Sequence, residues 1–327
     1  MWFDNLSWLF KNRELNTFYT SYGLDIKNFR NPDDFIGHHN FCVNRNRGNQ
    51  KNKYTITGSY NYIVLLRDKY IFSTYLSNAI GSEFVVQNRA LLFNENVYLC
   101  KEKEWTKLEE LLQISEPLVF KLIDGECAEG VMLVKIFADY IKLNEKTISR
   151  SHFLKLIKNN YYVIQDVVKQ HEDLNVFKTR SVNTIRVITI KGISGEVRVF
   201  SCFLRLSGSK DSFVDNRAKG GLAIGINIEN GKLMKYGYPH DEYGTKLKVH
   251  PTSGVRFEGF QLPFWENTIE LVVKAHKQFY EIQSIGWDVI ITPNGPVILE
   301  GNDDWEIGGP QDTLGGLKNR WDDLVNG

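Results

Sequence analysis

Residues 285–311 read IGWDVIITPNGPVILEGNDDWEIGGPQ. Two runs rich in β-branched residues flank a Pro-Asn-Gly turn at 293–295, a pattern that predicts a β-hairpin. Asp288 lies in the first predicted strand, and Glu300 and Asn302 lie at the end of the second. Because Glu300 and Asn302 are two residues apart, their side chains project from the same side of an extended chain. The hairpin therefore brings three oxygen donors to one end of a sheet.

These three side chains have the chemistry of a magnesium site. Two carboxylates and an amide are hard oxygen ligands, which suit one or two Mg2+ ions that keep water and share the phosphates of a nucleotide. The alternative for this segment taken alone is a surface hairpin whose acidic side chains are only solvated. The rest of the chain is needed to decide between the two.

The composition is that of an ordinary globular protein. The chain has 327 residues, of which 42% are hydrophobic and 24% are charged, enough to build one large domain or two moderate ones. Lys and Arg number 40 against 39 Asp and Glu, so no overall field favours nucleic acid or an acidic membrane. We therefore expect no nucleic-acid partner.

Cysteine spacing and hydrophobic runs bear on the compartment. Cys42, Cys100, Cys127 and Cys202 are widely separated and form no CxxC pair, which argues against a zinc site and gives no reason for a disulfide framework. No run approaches the roughly 18 apolar residues of a membrane span, and the N-terminus lacks the pattern of a signal peptide. We expect a cytoplasmic protein without a transmembrane segment.

The order of the predicted elements indicates an α+β protein with mainly antiparallel sheets. A helix ended by Gly81 precedes a strand over 84–87 and a helix near 105–113. A strand over 117–124 follows, and a further helix over 265–279 precedes the hairpin.

A lysine and a glycine-bearing loop point to phosphate binding. Lys121 lies in the middle of an apolar strand, where an unpaired ammonium is costly to bury, so an anionic partner is expected. The alternative is a lysine that extends from an edge strand into solvent. The loop DGECAEGV that follows contains Gly125 and Gly130, which allow backbone N–H groups to approach a phosphate closely. It is not a P-loop, because GxxxxGK[ST] is absent.

Two further groups of residues are candidates for nucleotide contacts. The backbone N–H and C=O groups of the strand YYVIQDVV, residues 161–168, can form hydrogen bonds with the edge of an adenine base. Glu172 can accept hydrogen bonds from ribose hydroxyls, and the alternative is an exposed acid without a ligand. Arg186 and Arg205 lie on later strands, and a guanidinium matches phosphate or carboxylate oxygens bidentately. The alternative for Arg186 is a structural salt bridge. Lys219 lies in a basic, polar loop that either covers a site or is solvated.

Taken in chain order, these residues resemble the pattern of the ATP-grasp superfamily. The matching features are Asp68-Lys69 before a helix, Lys121 with its loop, YVIQDVV with Glu172, the strand arginines and Asp288…Glu300-x-Asn302. The stretches SVNTIRV, LRL, GWDV and GPVILEGN resemble more closely the sugar-transfer-associated, or α-L-glutamate-ligase-related, branch. The resemblance covers about residues 60–312. No GxSxG or HExxH motif is present, which argues against a serine hydrolase and against a zinc protease.

The resemblance implies an ATP-grasp fold, in which two α+β subdomains hold ATP between mainly antiparallel sheets. By this resemblance, residues 1–60 are a helical N-terminal segment and linker. Residues 61–165 are the first subdomain, with the phosphate-covering glycine loop, and residues 166–327 are the second, with the Mg2+ site.

The resemblance also assigns roles by position. The residues that contact ATP would be Lys69, Lys121, Gly125, Gly130, Gln165, Asp166, Val168 and Glu172. The Mg2+ ligands would be Asp288, Glu300 and Asn302. The catalytic residues would be Arg186, Arg205 and Lys219.

The activity that the resemblance implies is that of an ATP-dependent carboxylate–amine ligase, which forms an amide through an acyl phosphate. Its substrates would be a small-molecule or saccharide carboxylate and an amine. The reaction would serve the synthesis of surface polysaccharide or glycoconjugates, and the resemblance is compatible with association with polysaccharide-synthesis enzymes. Two alternatives stay open. One is an ATP-grasp phosphotransferase, and the other is a non-catalytic nucleotide-binding partner of a glycosyltransferase.

Overall fold

The structure is a computed structural model that describes residues 2–49, 54–55, 58–59, 62–125, 129–179, 181–208, 220–239 and 246–326. The chain divides into two compact units. One comprises Val64–Lys169, and the other combines Met1–Ile63 with Gln170–Gly327. The N-terminal segment therefore folds with the C-terminal part of the chain.

The N-terminal segment is mainly helical. Its described elements are α1 (Trp2–Asn12), a 3-10 helix (Pro32–Asp34), α2 (His38–Asn49) and the short antiparallel pair β1 (Tyr54–Thr55) and β2 (Gly58–Ser59). Buried apolar side chains form a small local core, made of Trp8, Tyr19, Tyr22, Leu24 and Phe35.

The unit Val64–Lys169 is built on one antiparallel sheet. Its helices are α3 (Val64–Arg67), α4 (Lys69–Ile80), a 3-10 helix (Ser82–Phe84), α5 (Leu108–Leu111) and α6 (Arg150–Ile157). Its strands are β3 (Asn88–Phe93), β4 (Asn96–Leu99), β5 (Glu104–Lys107), β6 (Leu118–Leu122), β7 (Met132–Ile136), β8 (Tyr140–Leu143), β9 (Lys146–Ser149) and β10 (Tyr161–Asp166). The strand order is β5-β4-β3-β10-β6-β7-β8-β9.

Local sequence signals account for the start and the end of α4. The carboxylate of Asp68 accepts hydrogen bonds from the backbone N–H groups of Tyr70 and Ile71, which caps the first turn. Gly81 ends the helix with a φ of +116°, a conformation that costs a glycine little. The predicted helix ended by Gly81 is confirmed.

Two local predictions in this unit are wrong. Residues 104–107, expected near the start of a helix, form β5, where Trp105 pairs with Tyr98 of β4. Aromatic and β-branched residues favour a pleated surface, and only Leu108–Leu111 is helical. The strand expected over 84–87 does not form as such, because Phe84 ends the 3-10 helix and the next strand begins only at Asn88.

The other unit contains a second antiparallel sheet. Its strands after residue 170 are β11 (Thr184–Lys191), β12 (Val197–Ser207), β13 (Gly221–Ile226), β14 (Leu233–Pro239), β15 (Ser284–Thr292) and β16 (Gly295–Asn302). Its helices are α7 (Glu172–Asn175), α8 (Trp265–His276), α9 (Gly308–Leu314) and α10 (Lys318–Asn326). The strand order is β14-β13-β12-β11-β15-β16, and the hairpin predicted from the Pro-Asn-Gly turn is confirmed as β15–β16.

The two faces of this sheet are covered differently. On one face, the Trp287 indole donates a hydrogen bond to the Thr189 hydroxyl, which in turn pairs with His276 of α8. On the other face, Trp305 packs with Phe41 of α2 and Trp321 of α10. Because side chains alternate along a strand, this second face also carries the side chain of Asp288.

The described helices are all short. The longest of them, α2, α4 and α8, have 12 residues each. None of the helices in the described ranges is long and apolar enough to cross a membrane.

Candidate functional site

Arg186, Asp288 and Glu300 occupy directly opposite positions on the neighbouring strands β11, β15 and β16. Side chains at opposite positions of an antiparallel pair project from the same face. Arg205 of β12 lies opposite Thr184, two residues before Arg186, so it projects from that face too. Asn302, two residues beyond Glu300, also does so. The sheet thus brings together five of the residues that the sequence predicts for the site.

The Asp288 carboxylate is enclosed by two guanidinium groups. Arg186 donates from Nε to Oδ1 at 2.5 Å and from Nη2 to Oδ2 at 3.0 Å. Arg205 donates from Nη1 to Oδ1 at 3.0 Å and to Oδ2 at 2.9 Å. Asp288 is only 1% exposed, so the alternative of a solvated surface acid is wrong for this residue. Each carboxylate oxygen accepts two of these hydrogen bonds. The contact between Arg186 and Asp288 is therefore a salt bridge, which the sequence left as the alternative role of Arg186.

The two arginines keep Asp288 ionised. Burial alone would raise the pKa of the Asp288 carboxyl group, because it disfavours the charged form. The positive charges of Arg186 and Arg205 outweigh burial, and a hydrogen bond with Glu300 adds to their effect, so the pKa lies well below its usual value. The sheet therefore presents a permanently charged carboxylate.

Gly286 makes room for this arrangement, and it is not among the residues that the sequence predicts for the site. It lies opposite Asn302, whose Nδ2 donates a hydrogen bond of 3.1 Å to the Gly286 carbonyl oxygen. A Cβ atom at residue 286 would lie 2.8 Å from Cβ of Trp305 and 3.5 Å from Cδ of Arg186. The signal in the sequence is a glycine inside an otherwise β-branched strand, which marks a close approach.

The residues on this face fit Mg2+ by the chemistry of their donor atoms. Asp288 and the half-buried Glu300 supply carboxylate oxygens. The hydrogen bond of Asn302 uses its amide nitrogen, which leaves Oδ1 as the ligand atom. Hard oxygen donors of this kind are those that Mg2+ prefers. The four hydrogen bonds that the two arginines donate to Asp288 also mean that a cation has to replace an arginine donor before it can bind there.

In the unit Val64–Lys169, the structure places three of the predicted phosphate contacts near one another. Lys69 is the first residue of α4, and its Nζ donates a hydrogen bond of 2.6 Å to the carbonyl oxygen of Gly125. Gly125 and Gly130 both approach Leu122, since added Cβ atoms would lie 2.9 Å and 2.6 Å from its side chain. Lys121 lies on β6 opposite Val163 of β10. Residues 126–128 of the glycine loop are outside the described ranges.

The predicted base and ribose contacts have mixed environments. Gln165 is buried, and its Nε2 donates a hydrogen bond of 2.8 Å to Oδ1 of Asn88. Asp166 forms an exposed ion pair with Arg89 at 2.7 Å. Val168 is half-buried just after β10, and the exposed Glu172 begins α7 in the other unit. Lys219 lies outside the described residues.

A cleft of about 690 Å3 lies in the N-terminal segment and includes none of the predicted site residues. Trp8, Tyr19, Phe29 and polar side chains line it. The size of a cavity does not by itself identify the chemistry of a site, so the charged face of the second sheet remains the candidate.

The sequence profile of the sugar-transfer associated ATP-grasp family matches residues 51–322, which is most of the chain. The chain belongs to this family. The predicted resemblance is therefore confirmed, and so is the fold class of two α+β units with antiparallel sheets. A search of curated proteins finds no match.

Several solved structures are similar to this ATP-grasp chain at low sequence identity. Biotin carboxylase from Campylobacter jejuni is 13% identical with a TM-score of 0.43, and the match covers 75% of this chain and 42% of that one. D-alanine–D-alanine ligase from Bacillus anthracis is 14% identical with a TM-score of 0.39, and the match covers 80% and 62%. L-amino acid ligase from Bacillus licheniformis is 14% identical with a TM-score of 0.38, and the match covers 79% and 44%. The chain thus spans between 42% and 62% of the length of these proteins.

Proposed function

We propose that this ATP-grasp protein is an ATP- and Mg2+-dependent carboxylate–amine ligase. The observation that carries the proposal is the row of Arg186, Asp288 and Glu300 across three strands, with Arg205 and Asn302 on the same face. Anionic oxygen ligands next to two arginines suit a reaction that needs both a metal and phosphate neutralisation. The predicted nucleotide contacts at Lys69, Lys121 and the glycine loop belong to the same proposal.

The proposed reaction has two steps. In the first, the substrate carboxylate attacks the γ-phosphorus of ATP, which gives an acyl phosphate and ADP. In the second, an amine attacks the acyl carbon, which gives an amide and inorganic phosphate and releases a proton. Mg2+, when bound, would supply charge neutralisation to the phosphates. Arg186 and Arg205, together with Lys219, would hold the transferred phosphoryl group and stabilise its developing charge.

The arginine contacts support a dependence of metal binding at Asp288 on bound nucleotide. A triphosphate offers the two guanidinium groups another anion, so an arginine that turns towards a phosphate releases a lone pair of Asp288. We infer that nucleotide and metal bind together, and that the metal binds Asp288 weakly when the nucleotide is missing. The loss of an arginine contact would then be compensated by the charge of the cation.

The proposed substrates follow from the family description and from the reaction class. A sugar-transfer associated family is consistent with a saccharide or small-molecule carboxylate and with an amine such as an amino sugar or amino acid. We propose a role in the synthesis of surface polysaccharide or glycoconjugates, in association with enzymes of that synthesis. We propose a cytoplasmic location, where ATP is available for this reaction.

The test is a screen of the purified chain for ADP release across uronic acids, amino acids and amino sugars, with hydroxylamine as a trap. An acyl phosphate reacts with hydroxylamine to give a hydroxamate, so we expect hydroxamate from the true carboxylate even without its amine partner. With the amine, we expect equal amounts of amide, ADP and free phosphate.

Two outcomes would replace the ligase proposal. A phosphorylated product that retains the phosphate, with ADP but neither hydroxamate nor free phosphate, would make the protein a phosphotransferase. Nucleotide binding without ADP release from any carboxylate and amine would favour a non-catalytic partner of a glycosyltransferase.

A further inference from the structure

His38, Cys42 and Glu306 form a cluster outside the residues assigned to magnesium. His38 is the first residue of α2, and Cys42 follows four residues later, so the two side chains lie on the same side of the helix. Glu306 comes from the segment between β16 and α9. The His38 Nε2 atom lies 2.5 Å from Oε2 of Glu306 and 3.7 Å from Sγ of Cys42.

The geometry of the cluster is close to that of a tetrahedral metal site. Metal–ligand distances of about 2.0–2.3 Å and tetrahedral angles require ligand atoms to be roughly 3.4–3.6 Å apart. The nitrogen and sulfur atoms of His38 and Cys42 already lie near this separation, and all three candidate ligand atoms lie within 4.8 Å of one another. The hydrogen bond between His38 and Glu306 has to open by about 1 Å to reach this separation.

The backbone that carries these ligands is fixed by other contacts. Arg45 of α2 donates a hydrogen bond to the carbonyl oxygen of Trp305, the residue before Glu306. Asn49 donates to the carbonyl oxygen of Asp303 at 2.7 Å. On the other side, the ring of Phe18 packs on His38 with the ring centroids 5.1 Å apart. The ligands are thus presented by two segments whose relative position does not depend on the metal.

We propose that His38, Cys42 and Glu306 bind a divalent transition metal of the zinc class. A thiolate and an imidazole select such a metal over Mg2+, which prefers oxygen ligands alone. The Glu306 side chain is 57% exposed, so the fourth coordination position faces solvent and is taken by water. The lack of a CxxC pair excludes a two-cysteine motif, but it does not exclude a site with one thiolate.

The consequence of this site for the fold is local. Glu306 follows Asn302 by four residues, and α2 is attached to the segment between them through Arg45 and Asn49. A bound metal would add a third attachment of α2 to this segment, directly after the strand that carries Glu300 and Asn302. The proposal concerns metal binding and does not depend on the ligase activity.

The test uses Co2+ as the probe on the full chain after treatment with a chelator. A thiolate ligand produces a sulfur-to-cobalt charge-transfer absorption, so we expect this band at one Co2+ per chain. We expect Zn2+ to displace the Co2+ and excess Mg2+ to leave it in place. Absence of the band, or its loss on addition of Mg2+, would overturn the proposal.

Matched variants assign the band to this cluster. We expect Cys42→Ser to remove the band and Glu306→Gln to weaken Co2+ binding by about tenfold or more. Cys100→Ser, which removes a half-buried cysteine from the other unit, should retain both the band and the affinity. The exposed position of Glu306 lets the Gln variant fold even if Cys42→Ser does not. Unchanged Co2+ affinity in Glu306→Gln, or a band that persists in Cys42→Ser, would show that the metal binds elsewhere.

Discussion

Arg186 and Asp288 lie directly opposite each other on adjacent strands, and the Arg186 guanidinium donates hydrogen bonds to both oxygens of the buried Asp288 carboxylate. Arg205 contacts the same two oxygens from the next strand. The buried Asp288 carboxylate is therefore shared by two guanidinium groups in a region that is shielded from water. Any change to one of the three residues alters both the stability of the sheet and the affinity of its carboxylate for a cation.

Replacement of Asp288 by Asn is expected to destabilise the protein. The substitution removes the buried carboxylate that the guanidinium groups of Arg186 and Arg205 both contact, and removal of one partner of a buried ion pair costs about 3–5 kcal/mol. The measurement is chemical denaturation at neutral pH, with Glu196→Gln as a control that changes an exposed acid in the turn between β11 and β12. If the free energy of unfolding of Asp288→Asn equalled that of the wild type, the two arginines would have found other partners. Loss of activity in this variant therefore does not by itself prove a metal role.

Glu300→Gln is a cleaner test of the proposed magnesium site. Glu300 is only half-buried, and the substitution keeps the shape of the side chain while it removes the charge that would bind the metal. We expect little change in thermal stability and a loss of Mg2+-dependent ADP release of about 100-fold. The measurement is turnover across a Mg2+ titration, again beside Glu196→Gln. Normal Mg2+ dependence in Glu300→Gln would remove this residue from the metal site.

The sequence predicts the hairpin and its ligand types because the signals are local. A Pro-Asn-Gly turn and two β-branched runs define β15 and β16, and the spacing of Glu300 and Asn302 places both on one face. The pairing of Arg186 with Asp288 is not predictable in the same way, because it depends on the register of two strands about a hundred residues apart in sequence.

Other features are not predictable for related reasons. The sequence predicts a helix near 105–113, but the pairing of Trp105 with Tyr98 of β4 makes this residue part of a strand. The proximity of Glu306 to His38 comes from the packing of α2 beside the segment after β16, which no local pattern records. Long-range packing, more than local propensity, therefore determines which charged groups meet.

Removal of one arginine is expected to strengthen metal binding and to weaken catalysis. In Arg205→Gln, Asp288 loses two of the four hydrogen bonds that it accepts from arginines, so lone pairs become available to a cation without a nucleotide. We expect Mg2+ affinity in the absence of ATP to rise by at least about tenfold, which corresponds to about 1.4 kcal/mol. Turnover should fall, because the same arginine is proposed to hold the transferred phosphoryl group.

The measurement for this prediction is isothermal titration of Mg2+ with and without a non-hydrolysable ATP analogue. Arg198→Gln is the control, since Arg198 lies on the same strand but is more exposed and pairs with Glu196 instead. In the wild type and in the control, the analogue should strengthen Mg2+ binding. If the analogue raised the Mg2+ affinity of Arg205→Gln by the same factor as that of the wild type, the proposal that nucleotide frees Asp288 from its arginines would be contradicted.

The stability of the unit that contains the second sheet is expected to fall on mild acidification because of His276. This histidine is fully buried, and burial lowers its pKa to about 4, although a hydrogen bond to the Ile282 carbonyl oxygen opposes the shift. In the unfolded chain its pKa is about 6.5. Between these values the unfolded state binds a proton that the folded state does not, so stability is complete above pH 6.5 and is lost as the pH falls towards 4. The loss amounts to about 3 kcal/mol across this window.

Denaturant unfolding at pH 7.5 and pH 5 measures this effect. His276→Gln, which is able to keep a hydrogen bond to Thr189 or to the Ile282 carbonyl oxygen, should be less stable than the wild type at pH 7.5 but should lose less stability between the two pH values. His39→Gln, which changes an exposed histidine in the same unit, should retain the wild-type pH dependence. If His276→Gln and the wild type lose stability equally on acidification, the pH dependence arises from other groups. Because the Asp288 carboxyl group has a pKa well below 4, its ion pairs with the arginines persist throughout this window and do not account for the loss.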